Sequence, residues 1–591
     1  MKLVEALRIA NAPAPESGAR LNVLLAAGFT PLHLRTFLAA HLRMAFANHR
    51  VSLETGLFGD LTGTLERLRD ERPGEKALDA VVAAIEWSDL DRRLGIRSLG
   101  GWGPQDLENI AATVRANAER MANAIAKRKS GASVVVSLPT LPLPPAAFTA
   151  GWQASAFELE IRECVAGLGV RLAQSKGVSL VSAQRLDRLS APAARFSVKS
   201  ELEYGFPYAQ EHADTLAAQL ALLVQTRPPK KGLITDLDDT LWHGIVGEVG
   251  AKGVYWDLDH HSQMHGVYQQ MLRSLAQSGV LVAVASKNNR EVVAEVFQRE
   301  DLLLPEKHVF PMEVHWNAKS QSVARILEAW NIGADSVVFV DDSPMELAEV
   351  RSAFPEIECL QFPAGNDQAI YELVETLRDL FGKPQISEED QVRLESIRGW
   401  QSAKEKLNTA DGDSSHFLEE IDGQIHLEFA KAPVDPRALQ LINKTNQFNL
   451  NGNRYTDAAW EGYLQQPETF LMVVSYQDRY GRLGKIAVLS GRAQGKEVTV
   501  DNWVMSCRAF ARRIEHRCLE QLFERYQANE IAFNFTATAR NAPTQDFFKE
   551  FLAEVPQGSF TISRSTFTEK CPKLFHRLTE SQPEPNHSPV A

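Results

Sequence analysis

The sequence predicts a multidomain α/β protein whose first two large segments are doubly wound parallel sheets. Two observations predict this. Short apolar, strand-like runs alternate with helix-length amphipathic stretches as far as about Phe381, the pattern of parallel strands with helices on both faces. The chain also has 591 residues, 44% hydrophobic and 23% charged, enough for two to four ordinary cores. The expected segments are an α/β domain over 1–225, a second over 231–382, a helical connector over 383–418, a third domain over 419–578 and a polar, Pro-rich tail over 579–591.

In order, Leu21–Phe29 is a buried-strand candidate, followed by a helix pattern over Pro31–Asn48. Leu78–Trp87, Ser133–Leu138 and Val178–Val181 continue the alternation, with Pro139–Pro145 as a loop. Thr226–Lys231 (TRPPKK) is a proline-stiffened linker. The second segment opens on Lys231–Leu241 (KGLITDLDDTL) and adds strand runs at Val280–Ala285 and Ser336–Val340. A charged helix over Glu388–Leu407 and a polar loop over Asn408–His416 form the connector. The third segment has strand-like Phe470–Tyr476, Lys485–Ser490 and Val498–Met505, then a long helical pattern near Ala509–Gln527.

Charge and cysteine usage exclude several classes. With 63 basic and 75 acidic residues the net charge is −12, opposite to a nucleic-acid footprint. The five cysteines, at 164, 359, 507, 518 and 571, are scattered without CxxC spacing, so neither a disulfide framework nor a zinc site is expected. No run reaches membrane-spanning length, and Glu5 and Arg8 interrupt the apolar amino terminus. A reducing cytoplasm is the expected setting.

The sharpest signal is Asp236-Leu237-Asp238-Asp239-Thr240. Ligands of open α/β sheets bind beyond the carboxyl ends of the strands, so a strand ending in DxDxT aims carboxylates into that crevice. Such a density of acids calls for a hard cation with oxygen ligands, Mg²⁺ above all. A second strand ends in Asp341-Asp342, a third in the hydroxyl of Ser286, and Lys319 supplies a point charge. Only 47 residues separate Asp238 from Ser286, and 32 separate Ser286 from Lys319. Neither gap holds an independent cap domain, so the site is open or covered by flanking domains.

The order DxDxT, Ser, Lys, DD resembles the four-motif arrangement of the haloacid dehalogenase (HAD) superfamily of phosphohydrolases and phosphotransferases. The resemblance implies a HAD Rossmann-like core with Asp236 as nucleophile, Asp238 as general acid and base, and Ser286 and Lys319 stabilising the transferring group. It implies Mg²⁺ held by Asp236, the carbonyl of Asp238 and the Asp341/Asp342 pair, with Asp342 favoured as the direct ligand. Thr240, Lys287, Asn288 and Arg508 are the remaining candidates, for substrate binding.

The match narrows through Leu241–Gly250 (LWHGIVGEVG), Ser286–Asn289 (SKNN), Trp316-x-x-Lys319, Phe339–Glu346 (FVDDSPME), Thr445–Leu450 (TNQFNL), Val504–Arg508 (VMSCR) and Asn534–Asn541 (NFTATARN). Over about 230–560 these resemble the FkbH-like branch. That likeness implies a GNAT-like α+β carboxyl domain and, more loosely, an SGNH-hydrolase-like or flavodoxin-like amino-terminal domain. It also implies dephosphorylation of a 1,3-bisphosphoglycerate-like substrate and loading of a glyceryl-type unit onto an acyl carrier protein in polyketide-like biosynthesis.

Departures keep alternatives open. Ala285 stands where many glyceryl-loading relatives carry Cys, so transfer goes directly to a carrier thiol, through another cysteine such as Cys507, or not at all. Cys507–Glu515 (CRAFARRIE) has Ala511 and Arg513 in place of glycines that let backbone N–H groups approach a pyrophosphate. Arg508, Arg512 and Arg513 meet either phosphopantetheine, an acidic carrier or only solvent. Gly28-Phe29-Thr30 stands where an SGNH hydrolase carries GDS, so the first domain is expected to bind or cap. His260, His261 and His265 read as a polar helix start rather than a zinc site. A plain phosphatase and a carrier-binding scaffold are the alternative functions.

Overall fold

Apolar runs without a polar face can be buried only when helices cover both sides of the sheet they form. That is how both parallel sheets of the chain are built. The computed structural model describes residues 1–591 except 14, 16–17, 58, 70–76, 129–130, 147–148, 226, 384–385, 387–389, 391–392, 396, 400–417, 446, 480, 507–508, 511, 539–540, 553, 582–591 and the side chain of 458. Contacts divide the chain into Met1–Arg227 with Thr456–Trp460, and Pro228–Tyr455 with Glu461–Ala591.

The first unit carries β1 (Arg20–Ala27), β2 (Arg50–Thr55), β3 (Ala80–Ala84), β4 (Ser133–Ser137) and β5 (Val178–Leu180). All pair in parallel, in the order β2-β1-β3-β4-β5. This is a doubly wound order whose direction reverses between β1 and β3. Strand alternation splits the core in two. Val81 and Ala83 pack with Ile110, Val114 and Leu168 on one face, while Val82 and Ala84 pack with Phe37, Leu216 and Leu220 on the other.

The second unit begins with another five-stranded parallel sheet. Its strands are β6 (Gly232–Thr235), β7 (Leu281–Ser286), β8 (Val309–Val314), β9 (Val337–Asp341) and β10 (Glu358–Gln361), in the order β10-β9-β6-β7-β8. Val282 and Val284 face the cluster around Trp242, Tyr268 and Phe362, while Ala283 and Ala285 face Val323, Ile326 and Phe339. Ala285 has no exposed surface, so a side chain at this position points into the core.

Beyond the connector lies a mixed sheet: β11 (Gln424–Glu428), β12 (Phe448–Asn449), β13 (Thr469–Asp478), β14 (Gly481–Gln494), β15 (Glu497–Met505), β16 (Glu530–Phe533), β17 (Phe560–Ser563) and β18 (Arg577–Glu580). The order is β17-β16-β15-β14-β13-β11-β18, with β12 on the far end of β15. The pairs β15–β16 and β11–β18 are parallel and the others antiparallel.

Three differences from the sequence reading have physical causes. Strands β2, β8 and β10 end their sheets and are only partly buried, so none of them is an unbroken apolar run. The helix expected near Ala509 begins at Ile514, after Arg513 adopts φ 58°. Strand β18 takes in Thr579 and Glu580 through its pairing with β11, two residues into the expected tail, whose 582–591 lie outside the described residues. Most of the connector helix expected over 388–407 also lies outside them. No helix among the described residues is long and apolar enough to cross a membrane.

Candidate active site

The carboxyl ends of β6, β7 and β9 bring the predicted acids and hydroxyl into one crevice. Asp236 follows β6 directly, and its N–H donates to the Val340 carbonyl at 2.9 Å, which fixes it beside the end of β9. The chain then turns sharply. The Leu237 carbonyl accepts from the N–H groups of Thr240, Leu241 and Trp242 at 3.2, 2.7 and 3.2 Å, and Asp239 takes φ 49°. Glycine is needed later in the same turn, where Gly244 has φ 102° and donates its N–H to Asp239 at 2.8 Å.

Three carboxylates converge there. Asp236, Asp341 and Asp342 each present an oxygen within 4.8 Å of the others'. Lys319, the first residue of the helix Lys319–Trp330, places Nζ 2.9 Å from Asp236 Oδ1 and 2.5 Å from Asp341 Oδ2. The lysine is 4% exposed and Asp341 not at all. Burial pushes the Asp236 carboxyl up against the pull of Lys319. Burial, and then the charge of Asp236, push Asp341 up to about 7 and raise Asp342 in the same direction. Burial also works to lower Lys319, but the Asp236 and Asp341 charges outweigh it and hold its pKa above the ordinary value. One cation among three acids leaves uncompensated negative charge in low dielectric. An all-oxygen donor set of this kind fits a hard divalent cation.

Asp238 is held differently. Its Oδ1 accepts from Trp242 Nε1 at 2.9 Å and from the Val246 N–H at 3.0 Å, and its Oδ2 accepts from Asn288 Nδ2 at 2.8 Å. Trp242 is fully buried and packs edge-on against Phe297 at 6.2 Å, so the donor has little freedom to move. Asn288 Nδ2 also reaches Ser286 Oγ at 3.3 Å, and the Ser286 side chain bonds to Asp236. One amide therefore ties the second aspartate to the serine. Sequence reasoning missed Trp242. Its signal was present in the LWHG run, four positions after Asp238.

The candidate substrate residues fare unevenly. Asn288, 4% exposed, is engaged by Asp238 and Ser286. Thr240 is fully buried; its hydroxyl has no hydrogen-bond partner and its carbonyl accepts from His265 Nδ1 at 3.0 Å. It lies beneath the turn. Lys287 pairs with Glu346 at 2.8 Å and remains partly exposed at the crevice. Arg508 and Cys507 lie outside the described residues. Arg512 is buried against Asp478 at 3.1 Å, and Arg513 donates to the Lys573 carbonyl at 2.9 Å, so the buried Arg512 is not a solvent-facing contact for a carrier. His260 pairs with Asp257 at 2.8 Å and stacks on Tyr255 at 3.5 Å. The aspartate trio is the one potential metal-ligand group among the described residues.

No protein-family model matches the chain, and no curated protein matches it in sequence. Solved structures do. One is the N-terminal part of the protein BF1531 from Bacteroides fragilis, containing a phosphatase domain and complexed with Mg. It is 17% identical over 65% of this chain and 100% of its own, with a TM-score of 0.51. At that identity the likeness is one of fold: the chain shares the α/β architecture of a phosphatase-containing protein. A second, an uncharacterized protein from Corynebacterium glutamicum, is 18% identical over 26% of this chain and 98% of its own, with a TM-score of 0.19. An overlap that slight does not bear on the fold.

Proposed function

We propose that the protein is a Mg²⁺-dependent phosphohydrolase or phosphotransferase of the HAD type. The observation that carries this reading is the placing of Asp236 at the strand end, paired with Lys319 and within 4.8 Å of Asp341 and Asp342. The fold shared with a Mg-complexed phosphatase-containing protein supports it. Asp236, Asp342 and Asp341 would hold the ion, which supplies neutralisation of the charge on the phosphoryl oxygens.

The chain's own residues do the rest. An oxygen of Asp236 attacks phosphorus as the bond to the leaving oxygen breaks, giving an aspartyl-phosphate. Asp238 gives its proton to the leaving oxygen, then takes one from the water that attacks the phosphoenzyme and releases phosphate. Lys319 holds the Asp236 carboxylate in place and offsets charge on the transferring group. Asn288 and Trp242 keep Asp238 aimed.

The finer form of the reading is FkbH-like: a 1,3-bisphosphoglycerate-like substrate is dephosphorylated and a glyceryl-type unit passes to the phosphopantetheine thiol of an acyl carrier protein. Exposed apolar residues close in sequence to the site residues support a large, carried substrate. Ile245, Val249, Trp316 and Met345 are 43%, 50%, 75% and 74% exposed, and each lies within eleven positions of Asp238, Lys319 or Asp342 in sequence. The fully buried Ala285 favours the second reading, phosphate release alone.

The test incubates the full chain with Mg²⁺, 1,3-bisphosphoglycerate generated in situ and a panel of holo carrier proteins, following phosphate and the intact mass of each protein. Phosphate release lost in Asp236→Asn supports the core reading, and a glyceryl mass on the carrier supports the finer one. Wild-type-like release in Asp236→Asn would overturn the mechanism.

A further inference from the structure

The first unit contains a polar chain that phosphate chemistry leaves unused. Glu86 lies just beyond β3 and Thr140 just beyond β4, both at the carboxyl edge of the sheet where open α/β proteins bind ligands. Glu86 is 2% exposed. Its Oε1 accepts from Thr140 Oγ1 at 2.6 Å and the Tyr208 hydroxyl at 2.8 Å, and the Thr140 and Leu141 N–H groups also donate to the carboxylate. Thr140 Oγ1 in turn meets His212 Nε2 at 2.9 Å, and His212 Nδ1 meets Ser190 Oγ at 2.9 Å.

When Glu86 is ionised, every direction in the chain is forced. A carboxylate only accepts, so the Thr140 hydroxyl donates to it and must accept from His212 Nε2–H. Nδ1 is then bare and takes the Ser190 hydrogen. The arrangement is held rigidly. Buried Arg195 donates to the Thr140 carbonyl at 3.0 Å and to the Ser190 carbonyl at 3.0 and 2.7 Å, and it pairs with Asp187 at 2.6 Å. Glu86, Thr140 and His212 are all buried, while Ser190 is half-exposed. A hydroxyl at the surface is thus backed by a base, and the base is oriented by a further group, the arrangement that activates a serine.

We propose that the first unit carries a second reaction centre in which Ser190 attacks the carbonyl of an acyl ester or thioester, its proton passing through His212 and Thr140 to Glu86. The bond formed joins Ser190 Oγ to the carbonyl carbon. The Ser190 proton moves to Nδ1, the Nε2 proton to Thr140 Oγ1, and the Thr140 proton to Glu86. As the intermediate collapses, the leaving alcohol or thiol takes the proton back along the same chain, and the acyl group stays on Ser190. Water then repeats the sequence and releases the acid.

The imidazole changes tautomer without becoming a cation. That suits a ring whose pKa burial, and then Arg195, pull down to about 3. The terminal acceptor is suited to its part, since burial pushes Glu86 up to about 7 against its hydrogen bonds from Thr140 and Tyr208. The other ionisable groups around it are Asp89, itself pushed up to about 7, with Glu201, Tyr208, His212 and Arg195. This centre is independent of the phosphate chemistry.

The test treats the full chain with an alkyl fluorophosphonate, which a nucleophilic serine displaces at phosphorus with loss of fluoride, and locates the adduct by peptide mass spectrometry. The expected result is an adduct on Ser190 whose rate of formation falls as pH drops below about 7, because Glu86 must be ionised. Thr140→Ser, which keeps the hydroxyl, labels within about threefold of the wild type, whereas Thr140→Val and Glu86→Gln label at least about a hundredfold more slowly. A folded wild-type chain that stays unlabelled at Ser190 overturns the proposal without recourse to any variant. So does a Thr140→Val chain that labels as fast as the wild type, because the network is then only structural.

Discussion

Among the described residues, Lys319 is the one cation in direct contact with two of the converging acids, and its two ion pairs decide what each single substitution does. Replacing it by methionine leaves Asp236 and Asp341 buried without their counter-charge, a change that costs about 3–5 kcal/mol when a buried pair loses one partner. Chemical denaturation of Lys319→Met should show a loss of that size together with loss of phosphate release. Asp236→Asn should behave differently, because Lys319 keeps Asp341. Release disappears while the denaturation midpoint stays close to that of the wild type. The same acids set a pH dependence. Asp341 titrates at about 7 in the folded protein against 3.8 ordinarily, so between those values the folded chain binds the extra proton. Without a divalent ion, stability therefore falls as pH rises from about 4 to about 7. Mg²⁺ competes with that proton, so it should raise the melting temperature more at pH 8 than at pH 5. Equal shifts at both values would remove Asp341 from the linkage.

The element that most needs the rest of the fold is the turn from Leu237 to Val246. It hands Asp238 two of its three donors, the Trp242 ring N–H and the Val246 N–H, while Asn288 brings the third from outside the turn. Trp242→Phe keeps a buried aromatic against Phe297 and removes only Nε1–H. We expect kcat to fall about tenfold with KM and fold nearly unchanged, since Asp238 is no longer held in place by the ring N–H. An unchanged kcat with a lower melting temperature would make Trp242 merely structural. This turn also shows what was legible in the residues. Asp236, Asp238 and the Asp341-Asp342 pair announce themselves because each follows an apolar strand at fixed spacing. The donors on Asp238 do not, because Asn288 reaches it across 50 positions and from the end of a different strand. The burial of Thr240 was hidden for a related reason: a residue in a motif can as well face the core beneath the turn as the crevice above it.

At the scale of the whole molecule, the central strands and the edge strand β5 were legible, while the edge strands β2, β8 and β10 were not. β1, β3, β4, β6, β7 and β9 are apolar on both faces because helices cover both. β2 and β10 end their sheets with partly exposed residues and leave no unbroken apolar run to read. The Ser190–His212–Thr140–Glu86 chain was invisible for a stronger reason. Its members span 86 to 212, and only the parallel packing of β3, β4 and the helix Gln210–Gln225 gathers them. The division at Arg227/Pro228 makes the last prediction. All of Asp236, Asp238, Ser286, Asn288, Lys319, Asp341 and Asp342 belong to the second unit, and that unit has its own cores around Trp242, Phe339 and Trp503. A chain of residues 228–591 should therefore unfold cooperatively and release phosphate with a kcat within about tenfold of the full chain, a loss of no more than about 1.4 kcal/mol in the barrier. None of the residues proposed to act on phosphate belongs to the first unit. If residues 228–591 fold, shown by a cooperative denaturation curve, yet release no phosphate, the chemistry cannot be assigned to that unit alone.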